Sequence, residues 1–265
     1  MRSLRRMLDT QEFVLGLMVQ QVTSPWIAKV YADAGADFLY VEYEHMFFNE
    51  GSLGDLVLGS RLCGLPVVAK SSYLDRGSIC KLLDAGVTGV QLPMTESAGQ
   101  VKSLVDFAKF PPVGVRAASP GVGNTSYEPV DCAKWLKQAN RDTVVIAHVE
   151  TRTGLEHIDE ILAVPGVDVM FVGCFDLSVS LGYPAKLDHP VVVKAIDQLV
   201  DAARNHRKVA GMWMPSFQAA RPWTKKGVRF FELSGEIGFI AAGAADLIRQ
   251  FPGHQPRLKG ADKHV

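Results

Sequence analysis

Eight short runs of apolar, β-branched and aromatic residues recur along the chain, and between consecutive runs lies room for a helix. They are VLGLMVQ from Val14, DFLYVEYEH from Asp37, PVVAK from Pro66, GVQLPM from Gly89, VVIAHVE from Val144, VDVMFVG from Val167, VAGMWM from Val209 and RFFELS from Arg229. Runs of this kind suit strands buried on both faces, and their alternation with helical stretches calls for parallel strands joined by crossover helices. The connections carry helix signals of their own. In SPWIAKVYADAG, Ser24 is placed to be the N-cap and Pro25 the first helical residue, and HPVVVKAIDQLVDAARNHRK reads at helical period.

A chain of 265 residues has the length of nearly two average domains, yet α/β barrels fill about 250 residues as one domain. No linker or composition break interrupts the β-α alternation, so the expected architecture is a single (β/α)8 TIM barrel over residues 1–265. VGVR at Val113 to Arg116 is a ninth strand candidate, but Pro111 and Pro112 beside it favour an excursion. The Gly, Ser and Pro-rich stretch 110–130 is then expected to be a functional loop or a subunit contact. The basic start, MRSLRRMLD, meets Asp9, Gln11 and Glu12 before any signal-peptide core can form, and reads as a surface helix.

Twenty-eight basic and 28 acidic residues cancel, which gives no electrostatic footprint for nucleic acid. No window reaches the roughly 18 charge-free apolar residues of a membrane span. The four cysteines are far apart and form no C-x-x-C unit, as fits a reducing cytoplasm. The expectation is a cytoplasmic protein with neither a nucleic-acid nor a membrane partner.

In such barrels the chemistry sits at the carboxyl ends of the strands. The polar residues that close the runs are Gln20 and Gln21; Glu42, Glu44 and His45; Lys70; His148 and Glu150; Asp176; and Ser234 with Glu236. Singly, each is more often a cap or a solvated loop residue. Glu150 and Asp176 follow neighbouring strands, which would let two hard oxygen ligands share a divalent cation; the alternative is that Asp176 only caps a short helix at DLSVSLG. His45 has the side chain whose ordinary pKa best suits proton transfer near neutrality. GVGNTS lacks the G-K-[ST] ending of a phosphate loop.

The segments VEYEHMFFN, LLDAGVTGVQLPM, PPVGVR, HVETRTGLEHIDEIL and GVDVMFVGCFDLSVSLGYP, with HP at His189, resemble the metal-dependent pyruvate aldolases of the HpcH/HpaI family in order and spacing. The resemblance implies that Glu150 and Asp176 are the metal ligands, for magnesium, manganese or cobalt. It further implies that the turn Gly173, Cys174, Phe175 receives the pyruvate carboxylate, that His45 is the catalytic histidine and that Asp84 orients it. The implied reaction is retro-aldol cleavage of a 2-oxo acid to pyruvate and an aldehyde: the cation chelates the substrate and stabilises an enolate while His45 moves the proton. Oxaloacetate decarboxylation, or a barrel that has lost aldol turnover and serves binding or assembly, is the alternative. A homo-oligomer, commonly a hexamer whose dimers exchange the last helix, is also implied, and SGEIGFIAAGAADLIRQF is apolar enough to serve.

Three positions depart from the family pattern. Lys70 stands where an arginine is usual, keeping the charge without the planar fork. His148 replaces a glutamine before the metal glutamate, and Glu42 replaces an aspartate; both are placed with the substrate-binding residues. A lysine at a strand end also raises Schiff-base catalysis. The metal pair favours an electrostatic role for Lys70, because a chelated keto oxygen needs no imine.

Overall fold

The computed structural model describes residues 2–46, 49–251 and 253; Phe47 and Phe48 of the VEYEHMFFN segment lie outside them. Eight parallel strands close into one barrel in chain order: β1 (Val14–Val19), β2 (Phe38–Glu42), β3 (Val67–Lys70), β4 (Gly89–Leu92), β5 (Val144–Val149), β6 (Val169–Val172), β7 (Val209–Met214) and β8 (Val228–Gly235). Each falls on one of the eight apolar runs. Around them lie α1 (Leu4–Thr10), α2 (Trp26–Asp33), α3 (Glu50–Leu62), α4 (Arg76–Ala85), α5 (Ala98–Ala108), α6 (Cys132–Asp142), α7 (Arg152–Glu156) and α8 (Ile158–Ala163). The order continues through α9 (Cys174–Ser180), α10 (Pro190–Asn205), α11 (Phe217–Thr224) and α12 (Glu236–Arg249). None of the described helices is long and apolar enough to cross a membrane.

Helix starts follow local chemistry. Asn49, Asp75 and Thr151 each accept a hydrogen bond from an amide three residues on, and Ser97 with Gln100 forms a reciprocal capping box. At α2 the expectation is off by one residue: Pro25 already has helical angles at the cap position, and Ser24 contributes its carbonyl, not its side chain.

Strand side chains alternate between the helical shell and the lumen, and the lumen series sets the site. Near the amino ends the inward residues are Val14, Phe38, Val68, Val144, Val169 and Phe230, all fully buried. Phe38 stacks on Phe230 at 4.7 Å, which requires Gly16, since a Cβ there would lie 2.2 Å from the Phe38 ring. One or two steps further along the strands the inward residues turn polar: Glu42, Lys70, Gln91, His148 and Glu232, with Glu150 just beyond β5, all buried. Apolar floor and polar mouth are thus two phases of the same strands.

Two expectations about flanking segments need correction or completion. The amino-terminal helix is not simply a surface helix: Leu4, Met7 and Leu8 of α1 are buried in the cluster that fills the lumen, so α1 plugs the barrel's amino end. Burying three such side chains contributes roughly 1.5–3 kcal/mol each. Residues 113–116 form no strand, so the excursion is what the structure contains. Its Arg116 is buried, lies over the Phe110 ring and donates to Asp84 at 2.7 Å, tying the loop to α4.

At the far end, α12 has only Glu236 buried and exposes Ile237, Phe239, Ile240, Leu247 and Ile248. A contiguous apolar stripe of this kind marks an interaction surface.

Candidate active site

The mouth of the barrel opens into a cavity of about 780 Å³ that His45, Glu42, Lys70, His148, Glu150, Gly173, Cys174, Phe175 and Asp176 all line. Nine of the ten residues to which a catalytic, substrate-binding or metal role was assigned therefore meet in one place. The tenth, Asp84, does not. It holds Arg116 at 2.7 Å and Asn124 at 3.0 Å and lines a separate groove beside Tyr43 and Tyr127. Among the described residues of one chain nothing joins Asp84 to His45; within the chain the Asp84 carboxylate serves the buried guanidinium that the 110–130 loop brings to it.

Lys70 ends β3 opposite Glu42 of β2 in register, and its ammonium lies 2.9 Å from Glu42 Oε2 and 2.9 Å from Glu44 Oε2. Burial acts to lower the lysine pKa, but the two carboxylates outweigh it and hold the group above its ordinary range. Glu42 also accepts from Tyr40 Oη and from the Glu44 amide, both at 3.3 Å. Glu42, Glu44 and His45 each place a possible metal-donor atom within 4.8 Å of the other two. Lys70 already supplies the positive charge there. His45 is largely exposed at the rim, its Nε2 3.5 Å from Glu44 Oε2.

Two strands further round, just beyond β5, Glu150 is nearly fully buried. Its Oε1 accepts the Met94 amide at 2.7 Å, and its Oε2 lies 3.1 Å from His148 Nε2. Burial works to raise this carboxyl, but His148, the Met94 amide and Lys70 outweigh it and hold the pKa at about 2. Asp176 lies in the first turn of α9, exposed and without a hydrogen-bond or ion-pair partner among the described residues. The helix cap is Gly173 with no side-chain bond, so Asp176 does not spend its carboxylate on capping.

Gly173 shapes this wall. A Cβ there would lie 2.4 Å from Glu150 Oε2 and 2.5 Å from His148 Nε2, so the space in front of both donor atoms exists only because the residue is glycine. A carboxylate pinned on one oxygen, a second carboxylate without a partner and a cradle kept open between elements fit a small divalent cation.

Sequence reading overlooked the layer beneath the mouth. Gln91 Nε2 approaches His148 Nδ1 at 3.1 Å, and Glu232 is 2% exposed. Burial, partly opposed by Lys70, pushes the Glu232 carboxyl well above the ordinary carboxylate range. The available signal was a polar residue in the inward phase of an apolar run, as in GVQL and FFEL. Trp213 and Trp223 also line the cavity.

A closed (β/α)8 barrel with acidic, imidazole and ammonium groups gathered at its carboxyl end has the build of a lyase acting on small oxo acids. Comparison with known proteins bears this out. Residues 64–242 match the family HpcH/HpaI aldolase/citrate lyase. The chain is 30% identical over 254 residues to the hydroxypyruvate/pyruvate aldolase of Pseudomonas aeruginosa, spanning 95% of this chain and 93% of that one. It is 29% identical over 245 residues to the 4-hydroxy-2-oxo-heptane-1,7-dioate aldolase of Escherichia coli, spanning 90% of each. A solved HpcH/HpaI aldolase from Desulfitobacterium hafniense DCB-2 superposes with a TM-score of 0.89 at 30% identity, over 97% of this chain and all of that one. The chain belongs to the HpcH/HpaI aldolase/citrate lyase family and is a carbon-carbon lyase of 2-oxo acids.

Proposed function

We propose that the chain catalyses retro-aldol cleavage of a 4-hydroxy-2-oxo acid to pyruvate and an aldehyde, with a divalent cation held by Glu150 and Asp176. The observation that carries this reading is the placing of these two carboxylates and the Lys70 ammonium on one cavity. Magnesium, manganese or cobalt suits an oxygen-rich set with open positions. When bound, the cation supplies positive charge against which the 2-oxo acid's oxygens are polarised. Lys70, kept protonated by Glu42 and Glu44, adds a fixed charge that favours the enolate oxygen. His45, exposed at the rim, takes the 4-hydroxyl proton, directly or through water, as the C3–C4 bond breaks. The electron pair passes to the 2-oxo group, and a proton returned to C3 completes pyruvate. The first turn of α9, after Gly173, offers amides to the substrate carboxylate.

The test is pyruvate release from a panel of 4-hydroxy-2-oxo acids with and without chelator. Cleavage that stops with chelator and returns on adding the metal is expected; cleavage indifferent to chelator would overturn the reading. All four cysteines are free thiols, which supports a cytoplasmic setting. The apolar stripe on α12 supports a homo-oligomer in which this helix docks on another subunit, with a hexamer expected. Light scattering at micromolar concentration tests it, and a stable monomer would sink it.

A further inference from the structure

We propose that His148 Nε2 is a third protein ligand to the cation, making the site a mixed nitrogen and oxygen site that favours cobalt or nickel over magnesium. This rests on the reading that Glu150 and Asp176 hold the metal, and it goes beyond it.

His148 and Glu150 are two residues apart at the end of β5 and share its inward face. His148 is 5% exposed, yet its Nε2 has no hydrogen-bond partner among the described residues. Its nearest polar neighbour is Glu150 Oε2 at 3.1 Å, an ion pair when the imidazole is protonated and two facing acceptors, with room for a shared cation, when it is neutral. A buried imidazole nitrogen left without a partner is costly unless something absent from the protein chain completes it.

The separation has the right size for that something. Two ligand atoms about 2.1 Å from one metal and at right angles lie about 3.0 Å apart. Gly173 keeps the space before both atoms clear, since a Cβ would come within 2.5 Å of Nε2 and 2.4 Å of Oε2. The Phe171 ring edge packs on the imidazole at 4.8 Å and fixes its plane.

Nδ1 tells the same story. It lies 3.1 Å from the Gln91 side-chain nitrogen, while Gln91 Oε1 is buried without a partner. A half-turn of the glutamine amide exchanges its acceptor oxygen and its donor nitrogen. Turning the amide end for end lets Gln91 Oε1 accept from Nδ1–H, which places the proton on Nδ1 and leaves a lone pair on Nε2. That is the arrangement metal-bound histidines adopt, with the far nitrogen donating to an oxygen. One rotation and one cation complete both orphaned atoms.

Imidazole shifts preference toward cobalt, nickel and zinc, whereas carboxylate and water suit magnesium and manganese. The test uses the intact protein with Mn²⁺, Co²⁺ or Mg²⁺ alone, in wild type, His148→Gln and Glu150→Gln. Pulsed EPR of the Mn²⁺ form is expected to show nitrogen coupling that His148→Gln abolishes. Calorimetry is expected to show a Co²⁺ affinity loss on the order of 10- to 100-fold in His148→Gln with Mg²⁺ affinity changed only a few-fold. Absence of nitrogen coupling in wild type would overturn the proposal, as would coupling that persists in His148→Gln, which would assign the nitrogen to His45. If Glu150→Gln abolishes Mn²⁺ binding while His148→Gln leaves Co²⁺ affinity unchanged, the carboxylate site stands and His148 is no ligand. Wild-type Mn²⁺ affinity in Glu150→Gln would instead overturn the carboxylate site itself, and this inference with it.

Discussion

Lys70 Nζ stands 2.9 Å from Glu42 Oε2, with the two side chains 7% and 10% exposed, at directly paired positions of β3 and β2. A lysine so placed is locked in its ammonium form by two carboxylates and makes a poor nucleophile. Lys70→Arg is expected to keep pyruvate-forming activity, while Lys70→Met should lose it and cost about 3–5 kcal/mol of stability by leaving buried carboxylates unpaired. Borohydride reduction with pyruvate should leave Lys70 unmodified by mass spectrometry; an adduct there would make the enzyme an imine aldolase.

Glu236 opens α12, but its carboxylate serves the other end of the barrel closure. Its Oε1 accepts the amides of Gln20, Gln21 and Val22 at 2.9, 2.6 and 3.0 Å, and the residue is 1% exposed. Glu236→Ala strands three part-buried donors and is expected to cost about 1–3 kcal/mol in urea unfolding. Glu236→Gln keeps one acceptor oxygen and should cost less. Equal losses would show that charge alone, not acceptance, holds the loop after β1.

Asp84 and Arg116 form a part-buried pair, with the Arg116 side chain 3% exposed. Asp84→Ala leaves that guanidinium without its partner, at an expected cost of about 3–5 kcal/mol. The double variant Asp84→Ala with Arg116→Met should recover part of this loss, since no unpaired charge remains. Strict additivity in the double-mutant cycle would show that the pair contributes nothing as a pair.

Lys109 sets a pH dependence of stability. Burial lowers its pKa to about 8 from the ordinary 10.5, while Nζ donates to the carbonyls of Asn140 at 2.7 Å and Thr143 at 2.5 Å. Between these two values the unfolded chain binds more protons than the native one, so this group makes stability rise with pH; the gain is lost as pH falls through about 8. The full window corresponds to about 3 kcal/mol. Lys109→Met is expected to be less stable at every pH, through its lost hydrogen bonds, but to lack that rise. Parallel stability curves for the two proteins from pH 7 to 10 would refute it.

The barrel was legible in the chain because period and composition act locally: each of the eight runs can be recognised without knowing its neighbours. The mouth was legible for the same reason, since polar residues closing apolar runs mark the carboxyl ends of strands. What only the tertiary structure decided is partnership. That Asp84 holds Arg116 within its own chain, that α1 plugs the floor, and which atoms of His148, Gln91 and Glu232 face one another depend on packing between segments tens to hundreds of residues apart. Hydrogen bonds and buried charges respond to differences of tenths of an ångström across such contacts, and no pattern read along a single strand carries that information.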